Sequence, residues 1–408
     1  MEMDAKKAAQ PTWATVRYMI SQIQYGGRIT DAMDELMMDT YADKYFHAQA
    51  LEKGYELYPG YNVPDCTEIA AFRQSIEQLP QQESPEIFGL HTNADLTFRT
   101  LQVRDGLSTI IETMPKSGAG SGGLSPEEIV DKTAEDLLSK VPQPFHKEST
   151  VEQLRKLPGG SSQPLTVHLR QEIDRLNIIV NLTRKTLQNL RLAIAGTIAL
   201  SGDLVDALSA LYNGRIPLTW LRFSWESATL GNWFAGLLGR FDQLHKWLNT
   251  GRPKGYWLTG FFNPQGFLTA MKQEVNRKHA ADKWALDDVI MSSEVTHPPK
   301  DYENLREGAA EGVFVYGLFL DGCAWHGKEN RLVDSEPKKL NVPLPVLYVT
   351  GLQAKDKKKD AVASTYFAPS YRIKKRTGQH YIDKFELRTE DPPTKWILRG
   401  VALLCSID

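Results

Sequence analysis

One segment decides how this chain folds. It reads Trp225-Glu226-Ser227-Ala228-Thr229-Leu230-Gly231 and, further along, Trp257-Leu258-Thr259-Gly260-Phe261-Phe262-Asn263-Pro264-Gln265-Gly266-Phe267-Leu268. Such a mixture of large aromatic residues, glycines and a turn-forming Asn-Pro pair is used to hold two layers of structure together, since aromatic side chains bury much apolar surface. The segment contains almost none of the titratable groups that catalysis needs. The residues expected to have a structural or interface role are Trp225, Glu226, Trp233, Trp257, Phe261, Phe262, Asn263, Pro264 and Arg399.

If Trp225 is buried as this pattern predicts, its replacement by alanine should have a large effect. We expect Trp225→Ala to cost roughly 3–5 kcal/mol of stability, which is typical of a buried large aromatic side chain. An unchanged melting temperature would instead indicate that the side chain is exposed and docks to a partner.

The composition is that of an ordinary globular protein. The chain has 408 residues, 41% hydrophobic and 24% charged, with a formal net charge of -2. This length predicts two or three domains, and the charge gives no general attraction to nucleic acid or to anionic membranes. The three cysteines are far apart, the first ten residues show no apolar signal segment, and the apolar stretch Leu190–Leu211 is interrupted by two aspartates. We therefore expect a soluble, intracellular protein without disulfides.

The first third of the chain has the periodicity of helices. Apolar residues recur at helical spacing over residues 13–23, Thr30-Asp31 is a start signal for a second helix, and Thr67–Leu79 has the pattern of a third. A cluster of this size cannot bury both faces of its helices. Exposed apolar faces imply that a neighbouring structure covers them.

A glycine- and serine-rich run, Lys116–Gly123, separates these helices from the next ones. It lacks the Gly-Lys-Ser/Thr ending of a phosphate-binding loop and does not follow a predicted strand, so we interpret it as a linker. Ser125 then predicts a helix start, because Pro126 suits the first helical position and Glu128 can complete a capping box.

The longest predicted helix covers Thr166–Ala195. Apolar residues occur at every seventh position, namely Ile173, Val180, Leu187 and Ile194, with companions at Leu169, Leu176 and Leu190. Such a seam indicates packing along a partner helix. We expect the partner to lie in the same chain, either in Leu200–Leu211 or in Trp225–Leu248.

The period becomes alternating after Trp284, as expected for strands. The predicted strands are 313–320, 344–349, 364–368, 381–387 and 396–404. Five to seven short strands without helices between them predict an antiparallel sheet rolled into a small barrel. The fold class is therefore α+β.

Few residues suggest catalytic or metal chemistry. His279 and Asp282, with two further aspartates nearby, fit no standard set of metal ligands, and we interpret them as polar residues at a helix end. Cys323 and His326 are close in sequence, but a turn between strands explains both. An enzyme that used Cys323 or Glu226 is the least favoured class.

Glu226 and two basic clusters have structural explanations that we prefer. For Glu226 we expect an ion pair with an arginine such as Arg215, Arg222 or Arg399. The clusters Lys355–Lys359 and Arg372–Arg376 could bind an oligonucleotide, yet no aromatic ladder beyond Tyr371 is interleaved with the second cluster, and the overall charge is slightly acidic. A solvated hairpin loop or a protein contact is the favoured interpretation for both.

Several stretches in order along the sequence resemble the C-terminal end of a dynein heavy chain, the microtubule motor built on a ring of AAA+ modules. They are Ile23-Gln24-Tyr25-Gly26-Gly27-Arg28-Ile29-Thr30-Asp31, Phe88-Gly89-Leu90-His91 with Asn93-Ala94-Asp95, Leu169-Arg170-Gln171-Glu172-Ile173-Asp174-Arg175, Arg215-Ile216-Pro217, Ser224–Gly231, Thr259–Met271, Gly317-Leu318-Phe319-Leu320-Asp321-Gly322 and Leu398-Arg399-Gly400-Val401-Ala402-Leu403-Leu404. The tail after Cys323, with Trp325 and Glu329-Asn330-Arg331, resembles axonemal chains of the outer-arm type.

The resemblance implies a division into domains. Residues 1–85 would be the helical lid of the sixth AAA+ module, and residues 86–283, with the linker 116–123, the helical part of the C-terminal domain. Residues 284–408 would form its incomplete antiparallel β-barrel. Because Met1–Ala9 does not resemble the middle of an AAA+ module, we expect a cut fragment or a truncated gene.

The resemblance also implies a function without chemistry in these 408 residues. No catalytic, cofactor-binding or metal-binding residue is carried over, since ATP and magnesium would be bound by upstream modules. The expected partners are the remaining AAA+ modules of the same heavy chain and other dynein subunits. The microtubule would be reached only through an upstream stalk, with no nucleic acid or membrane involved. The expected location is the axoneme of a cilium or flagellum.

One alternative function stays open. The protein could be a free-standing binding module whose barrel captures a ligand through basic loops. Salt-sensitive binding of a single-stranded oligonucleotide, lost when Lys374, Lys375 and Arg376 are replaced by alanine, would favour this alternative.

Overall fold

A computed structural model of the protein describes residues 12–113, 125–297, 302, 305–356 and 364–407. The predicted linker Lys116–Gly123 and Lys357–Lys359 of the first basic cluster lie outside the described residues. The described parts contain helices first and mainly strands after residue 284, so the α+β class is confirmed.

The N-terminal region consists of helices and one small hairpin. Its elements are α1 (Trp13–Tyr18), α2 (Ala32–Tyr45), β1 (Glu56–Tyr58), β2 (Tyr61–Asn62), α3 (Ile69–Glu77) and α4 (Asn93–Thr113). A π-helical turn, Met19–Tyr25, extends α1. The predicted start of the second helix is confirmed, since the Met33 N–H donates to Asp31 Oδ1 over 2.8 Å.

This region buries very little apolar surface. Among the described residues 12–113, Ala42 is the only apolar residue that is fully buried. On α3, by contrast, Ile69 and Ile76 are 75% and 63% exposed, and Phe72 between them is also exposed. The three lie on one face of the helix, because residues three and four apart are neighbours on its surface.

The middle of the protein is a helical bundle. Its helices are α5 (Pro126–Lys140), α6 (Lys147–Lys156), α7 (Pro164–Ile194), α8 (Gly202–Tyr212), α9 (Leu218–Leu221), α10 (Leu230–Thr250) and α11 (Pro264–Lys278). The predicted capping box is present at α5: the Glu128 N–H donates to Ser125 Oγ, and the Ser125 N–H donates to Glu128 Oε2.

The long helix α7 agrees with the predicted heptad helix to within two residues at each end. Its seam residues Ile173, Val180 and Leu187 are buried. As expected, α7 packs against α8 and α10 of the same chain, and it also contacts α5 and α11. Thr183, which interrupts the companion series of leucines, is fully buried as well, whereas Ile178 on another side of α7 is 52% exposed.

The C-terminal part contains two main sheets and a hairpin. Its elements are β3 (Tyr256–Trp257), β4 (Val289–His297), β5 (Val313–Tyr316), β6 (Phe319–Asp321), β7 (Ala324–His326), β8 (Arg331–Val333), β9 (Val342–Pro343), β10 (Val346–Gln353), β11 (Thr365–Tyr371), β12 (Tyr381–Arg388), α12 (Pro393–Leu398) and β13 (Ala402–Leu404). One sheet has the order β3-β5-β10-β4 and the other the order β12-β11-β13-β6-β9, while β7 pairs with β8.

Three strand predictions require correction. Residues 313–320 are two strands in different sheets, because Gly317 has φ of 90° and a Cβ there would lie 2.5 Å from Trp257 Cδ1. Residues 396–404 begin as the helix α12, which Pro393 starts, and become β13 only after Gly400. The sheets are not purely antiparallel either, since β3–β5 and β11–β13 are parallel pairs.

The helices and the sheets share one hydrophobic core. It extends from Val130 on α5 to Cys405 after β13, and it includes Trp233, Phe261 and Phe267. The Glu386 N–H donates to Ser293 Oγ over 2.7 Å and so connects β12 of one sheet to β4 of the other. In the part of the sequence that is described, no helix combines the length and the apolar character needed to cross a bilayer.

Candidate functional site

Three tryptophans form a stack where α9 meets the start of α10. The ring centroids of Trp220 and Trp233 are 4.9 Å apart, and those of Trp225 and Trp233 are 5.4 Å apart. Trp233 Nε1 donates to Ser224 Oγ over 3.0 Å. Trp220 and Trp233 are fully buried, whereas Trp225 is only partly buried. Trp225 is therefore the outer member of the stack, and its free face meets an arginine.

That arginine is Arg240 of α10, whose side chain is buried. Its guanidinium carbon lies 3.6 Å from the centroid of Trp225 and 5.2 Å from that of Trp257. Its Nη1 donates to the Gly236 carbonyl and its Nη2 to the Thr259 carbonyl, over 3.1 and 3.0 Å. Burial lowers the pKa of Arg240 to about 9, although the charge of Glu172 opposes this effect. Two of the three tryptophans predicted to be structural, Trp225 and Trp257, thus lie against a buried cation.

The contact between Trp225 and Arg240 depends on a glycine. A Cβ at Gly236 would lie 2.9 Å from Arg240 Nη1 and 3.2 Å from Trp225 Nε1. Because real Cβ atoms do not approach other atoms this closely without displacement, alanine at position 236 would separate the guanidinium from the indole.

A buried carboxylate, Glu172 of α7, connects the long helix to α11. Its Oε2 accepts from the Phe262 N–H over 2.6 Å, and its Oε1 accepts from the Asn263 N–H over 3.0 Å. Burial raises the pKa of Glu172, while these hydrogen bonds and the charges of Arg175 and Arg240 oppose the increase.

Asn263 and Pro264 begin α11 rather than an isolated turn. The Gly266 N–H donates to Asn263 Oδ1 over 3.0 Å, so Asn263 is the N-cap, and Pro264 occupies the first turn. Phe261 and Phe262 are buried just before this cap. The carboxylate of Glu172 therefore lies at the N-terminus of a helix, which favours negative charge.

The predicted ion pair of Glu226 is not found. Glu226 is exposed, and in the described part of the sequence no carboxylate–arginine contact within 4 Å involves it. The buried carboxylate of this region is Glu172, which the sequence prediction missed. A signal was present, since Glu172 lies three residues after Leu169 and four before Leu176 on the apolar face of α7.

His168 packs beside Glu172, one helical turn earlier. Its Nε2 is 3.8 Å from Glu172 Oε1, and its ring lies against Phe261 and Phe267 with centroids 5.1 and 5.6 Å apart. Burial lowers the pKa of His168 to about 4, and Arg175 adds to this effect. His168 is consequently neutral at physiological pH.

A cavity of about 520 Å³ opens beside Arg240. We call it the Arg240 cavity. Its charged, aromatic and thiol side chains include Trp225, Glu226, Arg240, Trp257, Phe262, Arg372, His380 and Cys405. The two halves of the aromatic and glycine-rich segment therefore form one wall, and the end of β11 with the residues after β13 forms the other.

Arg399 lies away from this cavity and joins the N-terminal region to the sheet. Its Nη1 donates to the Leu90 carbonyl over 2.9 Å, and its Nε is 3.6 Å from Asp334 Oδ1. Asn93 makes a second connection, because its side-chain amide donates to the carbonyls of Glu336 and Lys339. The start of α4 is thus fixed to the C-terminal part of the protein.

Cys323, His326, His279 and Asp282 were the candidate nucleophile, base and metal ligands. Cys323 is buried, which raises the pKa of its thiol, and the His326 ring accepts from the Glu329 N–H instead of contacting that thiol. His279 contacts Asp282 at the end of α11, as expected for helix-end residues. Within the described residues, no group of three His, Cys, Asp or Glu side chains is placed to hold a metal ion.

The second basic cluster has two kinds of members. Arg376 forms an ion pair with Asp321 and also donates to the Gly400 carbonyl. Arg372, in contrast, lines the Arg240 cavity, and among the described residues it has no carboxylate within 4 Å. The cluster is therefore partly a structural contact and partly the wall of a cavity.

Comparison with protein families decides what kind of protein this is. One family model, for the C-terminal domain of the dynein heavy chain, matches residues 100–405, and another, for the AAA lid domain of the dynein heavy chain, matches residues 1–94. The protein belongs to the dynein heavy chain family. It includes that family's lid and C-terminal domain. Arg399, between α12 and β13, connects the two matched regions, because it donates to the Leu90 carbonyl.

Individual dynein heavy chains are similar to the whole length of this sequence. It is 66% identical to the dynein gamma chain of the flagellar outer arm from Chlamydomonas reinhardtii and 42% identical to dynein axonemal heavy chain 5 of Mus musculus. Each comparison covers all 408 residues, but only 9% and 8% of the respective relative. The sequence therefore spans less than a tenth of the length of these relatives.

Proposed function

We propose that these residues are the non-catalytic C-terminal part of an axonemal dynein heavy chain. This part packs on the AAA+ ring of a minus-end-directed microtubule motor and modulates ATP-driven force production in cilia and flagella. Its partners are the remaining AAA+ modules of the same heavy chain, whose upstream sites bind ATP, and other dynein subunits. The similar heavy chains are named as flagellar outer-arm and axonemal dyneins, which supports this location.

One observation carries the proposal, namely the uncovered apolar surface of α3 and α4. On α4, every residue from 101 to 110 is exposed. Val103, Leu107 and Ile110, which are 60%, 53% and 57% exposed, follow one another at helical spacing. A helix with an apolar stripe gains most of its stability from packing that stripe, so a free helix of this kind needs a covering partner.

Contacts between the start of α4 and the C-terminal sheets support the proposal that packing on the ring modulates the motor. A bound domain shifts a motor cycle only if its contacts differ between two states of the ring. Arg399 and Asn93 attach the start of α4 to the C-terminal sheets, so a ring movement that displaces α4 would pull on those sheets. We further propose that the two sheets form the incomplete barrel, with β4 and β12 adjacent through Ser293 and Glu386.

Hydrogen exchange of the complete heavy chain tests the proposal. Amides of α3 and α4 should exchange at least tenfold more slowly in the complete protein than in these 408 residues alone, because the ring would cover them. The amides of α7, which is buried in both forms, are the matched control. Protection of α4 that also differs between the nucleotide-free and ADP-vanadate states would support modulation. Equal exchange of α3 and α4 in both proteins would refute packing on the ring.

Calorimetry tests the non-catalytic part of the proposal. The 408-residue protein should fold but release no heat of binding with ATP and magnesium, since we place the phosphate-binding loops upstream. A micromolar dissociation constant for ATP would contradict this expectation.

A further inference from the structure

The Arg240 cavity has two arginines in its wall, Arg240 and Arg372. Arg240 is 7% exposed, and neither it nor Arg372 has a carboxylate within 4 Å in the described part of the sequence. Nε of Arg240 is buried without a hydrogen-bond partner. Arg372 is close enough for its charge to lower the pKa of Arg240 further, beyond the larger effect of burial. Two like charges thus face one cavity, and an anion between them would relieve their repulsion.

The charges around the cavity indicate how many negative charges it takes. Arg240 and Arg372 contribute two positive charges. Glu172 does not line the cavity, but its charge raises the pKa of Arg240, so it contributes one negative charge. One positive charge remains around the two guanidinium groups, so a monoanion balances that part of the cavity, whereas a dianion would leave an excess. Glu226 lines the exposed side of the cavity and adds repulsion there against a second negative charge.

The aromatic side chains that line the cavity indicate what kind of ligand would carry the negative charge. Trp225, Trp257, Phe262 and Phe319 line the cavity, and its volume of about 520 Å³ is far larger than one carboxylate needs. Pockets of this size that combine aromatic walls with a few charged groups typically hold a small organic ligand. Trp225 and Trp257 are both only partly buried, and both line the cavity, so they offer apolar surface to a ligand.

We propose that the Arg240 cavity binds a small monocarboxylate with an aromatic or other apolar body. The carboxylate lies between the guanidinium groups of Arg240 and Arg372, where Nε of Arg240 gains an acceptor. The body of the ligand lies against Trp225 and Trp257. Bidentate arginine–carboxylate contacts in a largely buried site give both affinity and orientation. The inference does not depend on the proposed packing on the ring.

Isothermal titration calorimetry of the 408-residue protein at low salt tests this site with three matched probes. Indole-3-acetate has the charge and the aromatic body, indole-3-acetamide has the body without the charge, and inorganic phosphate has charge without the body. Indole-3-acetate should bind at least tenfold more tightly than either of the others, because loss of a charge-assisted contact or of the apolar contact weakens binding by about that factor.

Variants then locate the binding. Arg372→Gln should weaken binding of indole-3-acetate at least tenfold, while Arg372→Lys, which keeps the charge, should lose much less. Arg376→Gln is the matched control, since Arg376 is a neighbouring arginine whose partner is Asp321 and which does not line this cavity. It should change the affinity less than about twofold. Glu226→Gln should increase the affinity about twofold, because it removes a repelling charge.

Several results would overturn the proposal. They are equal binding of the acetate and the amide, tighter binding of phosphate, an unchanged affinity in folded Arg372→Gln, and no binding of indole-3-acetate at concentrations up to about 10 mM, the limit of a useful affinity.

Discussion

The two halves of this protein, residues 12–113 and residues 125–407, differ in how far their apolar side chains are buried. Residues 125–407 have a large core that joins the bundle to both sheets, with Trp220, Trp233 and Trp396 fully enclosed, although some apolar side chains such as Leu218 stay exposed. Residues 12–113 leave theirs on the surface, along α3 and α4. Both halves contain well-formed helices, so the difference lies in packing and not in local propensity. A region without a core of its own gains stability from a neighbour, and the N-terminal half has the surface for one.

The comparison predicts first that the two halves respond differently to the loss of an aromatic side chain. Trp233→Ala should lower the free energy of unfolding by about 3–5 kcal/mol, because a fully buried ring between two other indoles is removed. Phe98→Ala on α4 is the control, since Phe98 is 59% exposed. Its effect should stay within about 0.5 kcal/mol in the 408-residue protein. Urea unfolding followed by circular dichroism measures both, and equal effects would remove the distinction.

Trp225→Ala lies between these cases. Trp225 is only partly buried, but it covers the guanidinium of Arg240 at 3.6 Å. Its removal would open the buried cation to solvent, so the expected cost of roughly 3–5 kcal/mol is an upper limit for this position.

The second prediction concerns acid, to which the buried half should be more sensitive. The pKa of His168 is about 4 in the folded protein, below the usual 6.5 that applies when the protein is unfolded. Its contribution to stability is therefore complete above pH 6.5 and is lost as the pH falls toward 4. The full loss is about 3 kcal/mol. His168→Phe should remove this loss, as measured by urea unfolding between about pH 7 and pH 4.

Two comparisons make this measurement specific. His146→Gln is the control, since the His146 side chain is 75% exposed and has no such burial. Glu172 acts in the opposite direction, because burial raises its pKa and its contribution is largest at low pH and is lost as the pH rises. The difference in the free energy of unfolding between His168→Phe and the original protein, taken at each pH, gives the contribution of His168 alone. An identical pH dependence in both would contradict burial of a neutral imidazole.

A third, smaller effect is expected where the buried half begins. Ser125→Ala removes the capping box of α5 and should destabilise the protein by about 1 kcal/mol. Glu127→Gln changes a charge in the same turn without touching the box, and its effect should stay within about 0.5 kcal/mol. If Ser125→Ala unfolds at the same urea concentration as the original protein, the start of α5 does not contribute to the stability of the core.

The smallest effect is predicted for the uncovered helices. Ile69→Ser on α3 should change the stability of the 408-residue protein by less than about 0.5 kcal/mol, because Ile69 is already 75% exposed. In the complete heavy chain the same change should cost more than about 1 kcal/mol, as for an apolar side chain removed from a covered interface. Equal effects in the two proteins would show that nothing covers this face.

The sequence was sufficient where the signal was local. Caps at Asp31 and Ser125, the span of α7 and the exposed face of α3 all follow from residues within one or two helical turns of each other. The division at residue 85 and the structural roles of the aromatic residues remain predictions. Matches to the lid and C-terminal-domain families follow from ordered motifs along the sequence, so the sequence also identified the family.

Only the tertiary structure could show the site around Arg240. Glu172 reaches the amides of Phe262 and Asn263 across some ninety positions of the sequence, and no spacing rule connects them. Glu226 was expected to pair with an arginine because large apolar residues flank it in sequence, yet in the structure it is exposed. Local pattern specifies which residues are apolar and where a helix begins. Which polar groups become buried together depends on how distant elements pack, because burial and electrostatic pairing are properties of the assembled core.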